Sequence, residues 1–470
     1  MSTTLSANRR LLTIPRELPQ EILDDITDIA AETCFESLPS LSLSSRCFVE
    51  RSQRHIFREI KISRQRHVSQ LLTLLDGKPR LMKDVRSLWL CIHQELCGSE
   101  GVSKDLGRIA GQLVGLRELR LEAGLGPRRD EFDPVCRAFF KEFASFAIVK
   151  VWIDAYIDFP VNLIRRLPIS KLRLGLHSPT SLSNKEESRE GEEQIATTGW
   201  QIRHFECNRD SSAALFLVGI CSTSVYQTLV VLDLKIELLP QHEAAWSLIG
   251  ALKNSPVLEV LILCYYCWND YIGAFRCFME TSRSNRTLPN LPSLRCLRLI
   301  LHIHTRRYGF SAMGATILPL FLAIFPTAII SGNPHPSLEV LDITHILSNL
   351  KDTQQYVDVL RRIPFGTDDQ AWRSMDDLFT NRCLLPRLRA LRIEIGRLYP
   401  RELNDMAVTK EYQEALENLK QKNGADIRIL LPNSAKHVPI VDFGLSPDDS
   451  SGFDAASSMY HNSNLVLATW

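Results

Sequence analysis

The chain has 470 residues, 45% of them hydrophobic and 23% charged, with 55 Lys plus Arg against 54 Asp plus Glu. That length exceeds one compact core and suits a small domain joined to a repeat array. The even charge balance excludes a general footprint for nucleic acid or an anionic membrane.

The first residues, 1–11, are polar and read as a flexible terminus with no secretory core. The twelve cysteines are scattered in or beside apolar segments and are expected to be reduced thiols acting as small hydrophobes. On that reading the sequon Asn285-Arg286-Thr287 has no role, and the expected compartment is the cytoplasm or nucleus. The longest apolar run, Ile317 to Ile330, is short for a bilayer span and is broken by Pro319 and Pro326.

Residues 12–62 form the first unit, with three short helical segments. A helix starts at Pro19, with Glu17, Glu21, Asp24 and Asp25 around its first turns, where acids complement the helix dipole. Leu18, Ile22, Leu23 and Ile26 lie on it at helical spacing. The second segment carries Leu38, Leu41, Leu43 and Phe48, and the third runs from Phe48 to Glu59. A unit this small covers little of its own apolar surface, so a partner or a neighbouring domain is expected to cover the rest.

From residue 63 to 431 a phrase recurs: two leucine-like residues three apart, then a third two further on. Its copies are Val85-Leu88-Leu90, Leu116-Leu119-Leu121, Phe146-Val149-Val151, Ile169-Leu172-Leu174, Ile202-Phe205-Cys207, Leu229-Leu232-Leu234 and Leu258-Leu261-Leu263. It continues as Leu294-Leu297-Leu299, Leu338-Leu341-Ile343 and Leu388-Leu391-Ile393, with a degraded copy at Ile427 and Ile429. The last two residues of each phrase share a strand face, and gaps of 23 to 50 residues between copies leave room for an outer helix. Helices are expected at Val68–Leu75, Lys104–Val114, Asp133–Phe143, Glu243–Lys253, Gln354–Arg362 and Glu402–Lys422. The polar stretch 178–198 reads as a disordered loop and the aperiodic residues 432–470 as a mobile tail.

The fold class is therefore α/β: a small helical unit followed by an irregular leucine-rich solenoid with a curved parallel sheet. The residue between the last two leucines of each phrase points away from the core. That row reads Trp89, Arg120, Lys150, Arg173, Glu206, Asp233, Ile262 and Arg298, with Asp342, Arg392 and Arg428 beyond. It is a candidate binding strip for a protein target, in which Arg120, Lys150 and Arg173 would favour an acidic or phosphorylated segment. The competing view is a solvated sheet face.

The first unit resembles the F-box. The matching text is Leu18-Pro19-Gln20-Glu21-Ile22-Leu23, then Leu41-Ser42-Leu43-Ser44-Ser45-Arg46-Cys47-Phe48, then Arg54-His55-Ile56-Phe57-Arg58-Glu59-Ile60. With the repeats, the chain resembles the F-box proteins with irregular leucine-rich repeats of mushroom-forming fungi. Phe48 stands where that family often has Trp, and Thr27 to Ser37 is longer and more polar than usual. The resemblance implies a substrate receptor of a cullin-type (SCF) ubiquitin ligase. Its adaptor would dock on Leu18, Pro19, Ile22, Leu23, Ile26 and Leu43, and its protein target on the repeats. The alternative is an interaction scaffold with no ligase role.

Chemistry is sparse elsewhere. Cys264-Tyr265-Tyr266-Cys267 lacks a second cysteine pair, and His302 with His304 lacks a third ligand, so no metal is expected. No phosphate loop or nucleophile elbow is present, and neither a cofactor nor catalysis by the chain itself is expected.

Overall fold

The computed structural model describes residues 18–92, 96, 100–123, 148–155, 167–176, 201–207, 226–236, 239–268, 288–304, 336–348, 383, 385–388, 390–397 and 426–430. The expected terminus 1–11, the helices at 133–143, 354–362 and 402–422, the loop 178–198 and the tail 432–470 lie outside them.

The chain starts with α1 (Gln20–Thr33), a 3-10 turn (Phe35–Ser37), α2 (Leu38–Ser44) and α3 (Arg46–Ile56). Pro19 sets the entry to α1: its carbonyl accepts from the amides of Ile22 and Leu23. The Arg51 guanidinium on α3 grips both oxygens of Asp28 on α1, at 2.7 and 2.6 Å, and His55 lies 2.7 Å from the same carboxylate. This charged clasp holds the Asp28 carboxyl well below the ordinary carboxylate range, chiefly through the Arg51 hydrogen bonds.

Twelve strands then form one sheet in strict chain order, and every pair is parallel. They are β1 (Glu59–Ile62), β2 (Ser87–Ile92), β3 (Glu118–Ala123), β4 (Lys150–Ala155), β5 (Lys171–Leu176) and β6 (His204–Cys207). There follow β7 (Val231–Ile236), β8 (Val260–Trp268), β9 (Cys296–His304), β10 (Val340–Ser348), β11 (Ala390–Arg397) and β12 (Asp426–Leu430). A sequential parallel order is what a repeat array produces when each unit adds one strand beside the last.

The phrase leucines fill one face. Leu88, Leu119, Leu172, Phe205, Leu232, Leu261 and Leu297 are all essentially inaccessible and belong to a single core cluster. Three described helices supply the other wall: α4 (Gln65–Gly77), α5 (Glu100–Gln112) and α6 (Leu239–Ala251). In α5 the buried residues Val102, Leu106, Ile109 and Ala110 repeat at helical spacing, so its stripe meets the sheet and its other sides stay wet.

The turns are tied repeat to repeat. Hydroxyls of Thr228, Ser255 and Ser293 donate to the carbonyls of Ile202, Tyr226 and Pro256, each one repeat earlier. After α6 the chain reverses at Asn254, the only described non-glycine residue with positive φ (67°), and its amide donates to Asn290 of the next repeat.

Two expectations about register change. The third phrase is Ile148-Val151-Ile153, all buried, because Leu119 pairs with Val151 and Arg120 with Trp152. The outward residue of that repeat is thus Trp152; Lys150 belongs to the neighbouring row. The sheet also starts earlier than expected. β1 lies inside the 12–62 segment, where Phe57-Ile60-Ile62 is one more copy of the phrase.

Candidate functional site

Two surfaces stand out, and the first is on the helical unit. Seven large hydrophobic residues are exposed among the described residues, and six fall there: Leu18, Ile22, Ile26, Ile29, Phe35 and Leu43. Ile22, Ile26 and Ile29 follow one another at four and three residues, so they form one stripe along α1. Leu43 on α2 is 72% exposed. Of the residues picked from the sequence, Pro19 is exposed too, while Leu23 is half-buried. Ile29 and Phe35 were missed, although Ile29 continues the helical spacing of Ile22 and Ile26.

Packing explains why these side chains stay outside. The unit turns Thr27, Leu38, Phe48 and Ser52 inward. Thr27 has its hydroxyl bonded to the Leu23 carbonyl, which satisfies a polar group at a buried position.

The second surface is the sheet face opposite the helices. Register places Lys61, Trp89, Arg120, Trp152, Arg173, Glu206, Asp233, Ile262, Arg298 and Asp342 in one row, one residue per strand from β1 to β10. Its first five members alternate cation and indole. Lys61 Nζ lies 3.3 Å from the Trp89 ring centre, and the Arg120 guanidinium lies 4.0 Å from it on this ladder. Arg120 is also 5.5 Å from the Trp152 ring, and Arg173 is 5.9 Å from it. In-register cations on adjacent strands, about 4.8 Å apart, would repel. The indoles separate them and attract each from its side.

This geometry corrects the expected basic cluster of Arg120, Lys150 and Arg173. Arg120 lies against two indoles, Lys150 is paired with Glu118 at 2.8 Å, and Arg173 approaches Glu206 at 3.4 Å. The Trp89 indole N–H donates to Glu122, which adds another acid beside the ladder. Lys150 and Arg173 each have a carboxylate beside them, while Arg120 keeps its charge against the indoles, so the three do not form one open basic patch.

Past Arg173 the row turns inward. Glu206 and Asp233 are buried side by side. Burial alone would raise the Glu206 carboxyl, but the Lys235 ammonium at 2.7 Å and the Arg173 guanidinium outweigh it and hold it below its usual value. Asp233 has no such clasp: burial first, then the Glu206 charge, push it up to about 7. Ile262 joins Val231, Val260, Cys296 and Val340 in a second apolar cluster on this face. Arg298 lies 3.5 Å from Asp342.

The sequence row missed Lys61 and Trp152. Lys61 sits between Ile60 and Ile62 in an alternation that was assigned to the helical unit, and Trp152 was displaced by the two-residue register choice.

Nothing described resembles a reaction centre. Burial and the Glu122 charge push the Cys91 thiol up to about 12, which leaves it protonated. No group of three His, Cys, Asp or Glu able to hold a metal occurs among the described residues. No described helix is long and apolar enough to cross a membrane.

No family model matches the chain, and no curated protein matches it by sequence. Among solved structures it aligns with one described as "Crystal structure of Rad7 and Elc1 complex in yeast", at 11% identity over 82% of this chain and 90% of that one, with a TM-score of 0.31. A likeness at that level carries no argument about function.

Proposed function

We propose that the chain is the substrate-recognition subunit of a cullin-type (SCF) ubiquitin ligase, with an adaptor docked on the helical unit and a protein target held on the repeats. The observation that carries this reading is the bare apolar stripe Leu18, Ile22, Ile26, Ile29, Phe35 and Leu43. Exposed apolar side chains gathered on one small unit mark a helix-packing interface, since burying what each still exposes gains on the order of 1 kcal/mol. The F-box resemblance of the same segment supports an adaptor as the partner. The reading assigns the chain no catalytic step: such a receptor acts by raising the effective concentration of its target near a charged ubiquitin carrier.

The target face is the row from Lys61 to Asp342. With its cations stacked on indoles or set beside carboxylates, it offers indole edges, a buried acidic pair and an apolar patch around Ile262. That mixture suits a protein surface of mixed polarity better than a polyanion.

Capture of a recombinant cullin-ligase adaptor by the full chain tests the reading. Adaptor binding is expected for the native sequence and is expected to be lost in Leu18→Asp/Ile22→Asp, with the melting temperature of the repeats unchanged. If the native chain captures no adaptor, the ligase assignment fails and the scaffold alternative takes its place.

A further inference from the structure

The strand starts carry a charge pattern that neither surface above uses. One residue before each strand, the ladder already runs: the Arg86 amide donates to the Arg58 carbonyl and the Arg117 amide to the Arg86 carbonyl, both at 2.8 Å. Arg58, Arg86 and Arg117 are therefore neighbours on successive strands, and all three are exposed. The same row further along reads Glu259, Arg295, Glu339, joined by the same ladder bonds. There one cation sits between two acids, with Arg295 bonded to Glu339 at 3.0 Å and 3.8 Å from Glu259.

At the arginine end no carboxylate pairs with any of the three among the described residues. Glu118, next to Arg117, points to the other face and is taken by Lys150. One guanidinium is anchored: Arg86 donates to the Gly115 carbonyl at 2.9 Å, and Gly115 packs so closely that an added Cβ would strike Arg86 and the Lys83 carbonyl. Adjacent like charges on a sheet are unfavourable, and the far half of this rim avoids them by placing Arg295 between two acids. Here they are left for an anion from outside.

We infer that the rim Arg58–Arg86–Arg117 is a docking site for a short acidic segment of a protein partner, a run of Asp or Glu. The three strands spread the arginines over roughly 10 Å, and Arg86 is held in the middle. A row of that length matches several carboxylates, each met by a guanidinium fork, better than one compact anion. A nucleic acid would need a longer basic track, which a chain with balanced charge does not provide. The rim shares no residue with the apolar stripe, so this inference stands or falls apart from the ligase reading.

The test uses the full chain and a fluorescein-labelled oligoglutamate peptide at low ionic strength, followed by anisotropy. Binding that weakens with added salt is expected. Arg58→Gln/Arg117→Gln should reduce affinity about fivefold, the Lys pair at the same positions should keep most of it, and Arg295→Gln should have no effect. Melting curves confirm that the variants fold. The inference is overturned if oligoglutamate does not bind, if Arg295→Gln weakens it equally, or if charge-matched oligothymidylate binds more tightly through the same arginines.

Discussion

His204 and Asp233 lie on the same sheet face, one strand apart, and their titrations oppose each other. Burial, aided by the Lys171 charge, pulls the His204 imidazole from 6.5 down to about 3. Below about pH 6.5 the unfolded chain takes up the histidine proton and the folded chain does not, so His204 weakens the fold on acidification. Asp233 moves the other way, from 3.8 up to about 7. Between those values the folded chain holds the extra proton, so Asp233 strengthens the fold as pH falls from 7. The native chain is thus expected to show a nearly flat melting temperature between about pH 7 and 5. Asp233→Asn leaves His204 alone, and stability should fall on acidification by up to about 1.4 kcal/mol per pH unit. His204→Gln should produce a rise instead. Thermal melts of the three proteins at two pH values decide it, and parallel slopes would refute the opposition.

Aromatic side chains on neighbouring strands do different jobs in this chain, and the cation–indole ladder shows it. Trp152 lies between Arg120 and Arg173 and is half-buried, whereas Phe205, one strand past Arg173, is fully enclosed in the leucine core. Replacing Phe205 with Ala opens a cavity and should cost about 3–5 kcal/mol. Trp152→Ala removes two cation–indole contacts at a half-wet site and should cost about 1–2 kcal/mol. It also lets two guanidiniums face each other, so its penalty should shrink in high salt while that of Phe205→Ala does not. Denaturant melts at low and high salt separate the two; equal salt sensitivity would show that the ladder is ordinary packing.

At the scale of the molecule, each described strand hydrogen-bonds only to its neighbours in the sheet order. Stability then travels by nearest-neighbour coupling rather than through a shared centre. Hydrogen exchange on Phe205→Ala should speed up first in β5, β6 and β7, with β2 and the helical unit close to native protection. Uniform loss of protection would mean the array unfolds as one body.

The leucine phrase by itself determined the parallel repeat order, because any strand with that spacing must bury the same two positions and can pair only with the next copy. It also set the apolar stripe on α1, since helical spacing alone puts Ile22 and Ile26 on one side. Register between copies was a different matter. Phe146-Val149-Val151 and Ile148-Val151-Ile153 obey the same rule, and only pairing against Leu119 selects the second, which exchanges Lys150 for Trp152 in the outward row. The same dependence gave Phe57-Ile60-Ile62 to the sheet, brought the cations of the row to their partners, and left Arg58, Arg86 and Arg117 together with no carboxylate among the described residues. Local spacing decides which face a side chain takes. Whether the charge beside it is an acid, an indole or another cation depends on residues roughly thirty positions away, and only the folded sheet brings those to hand.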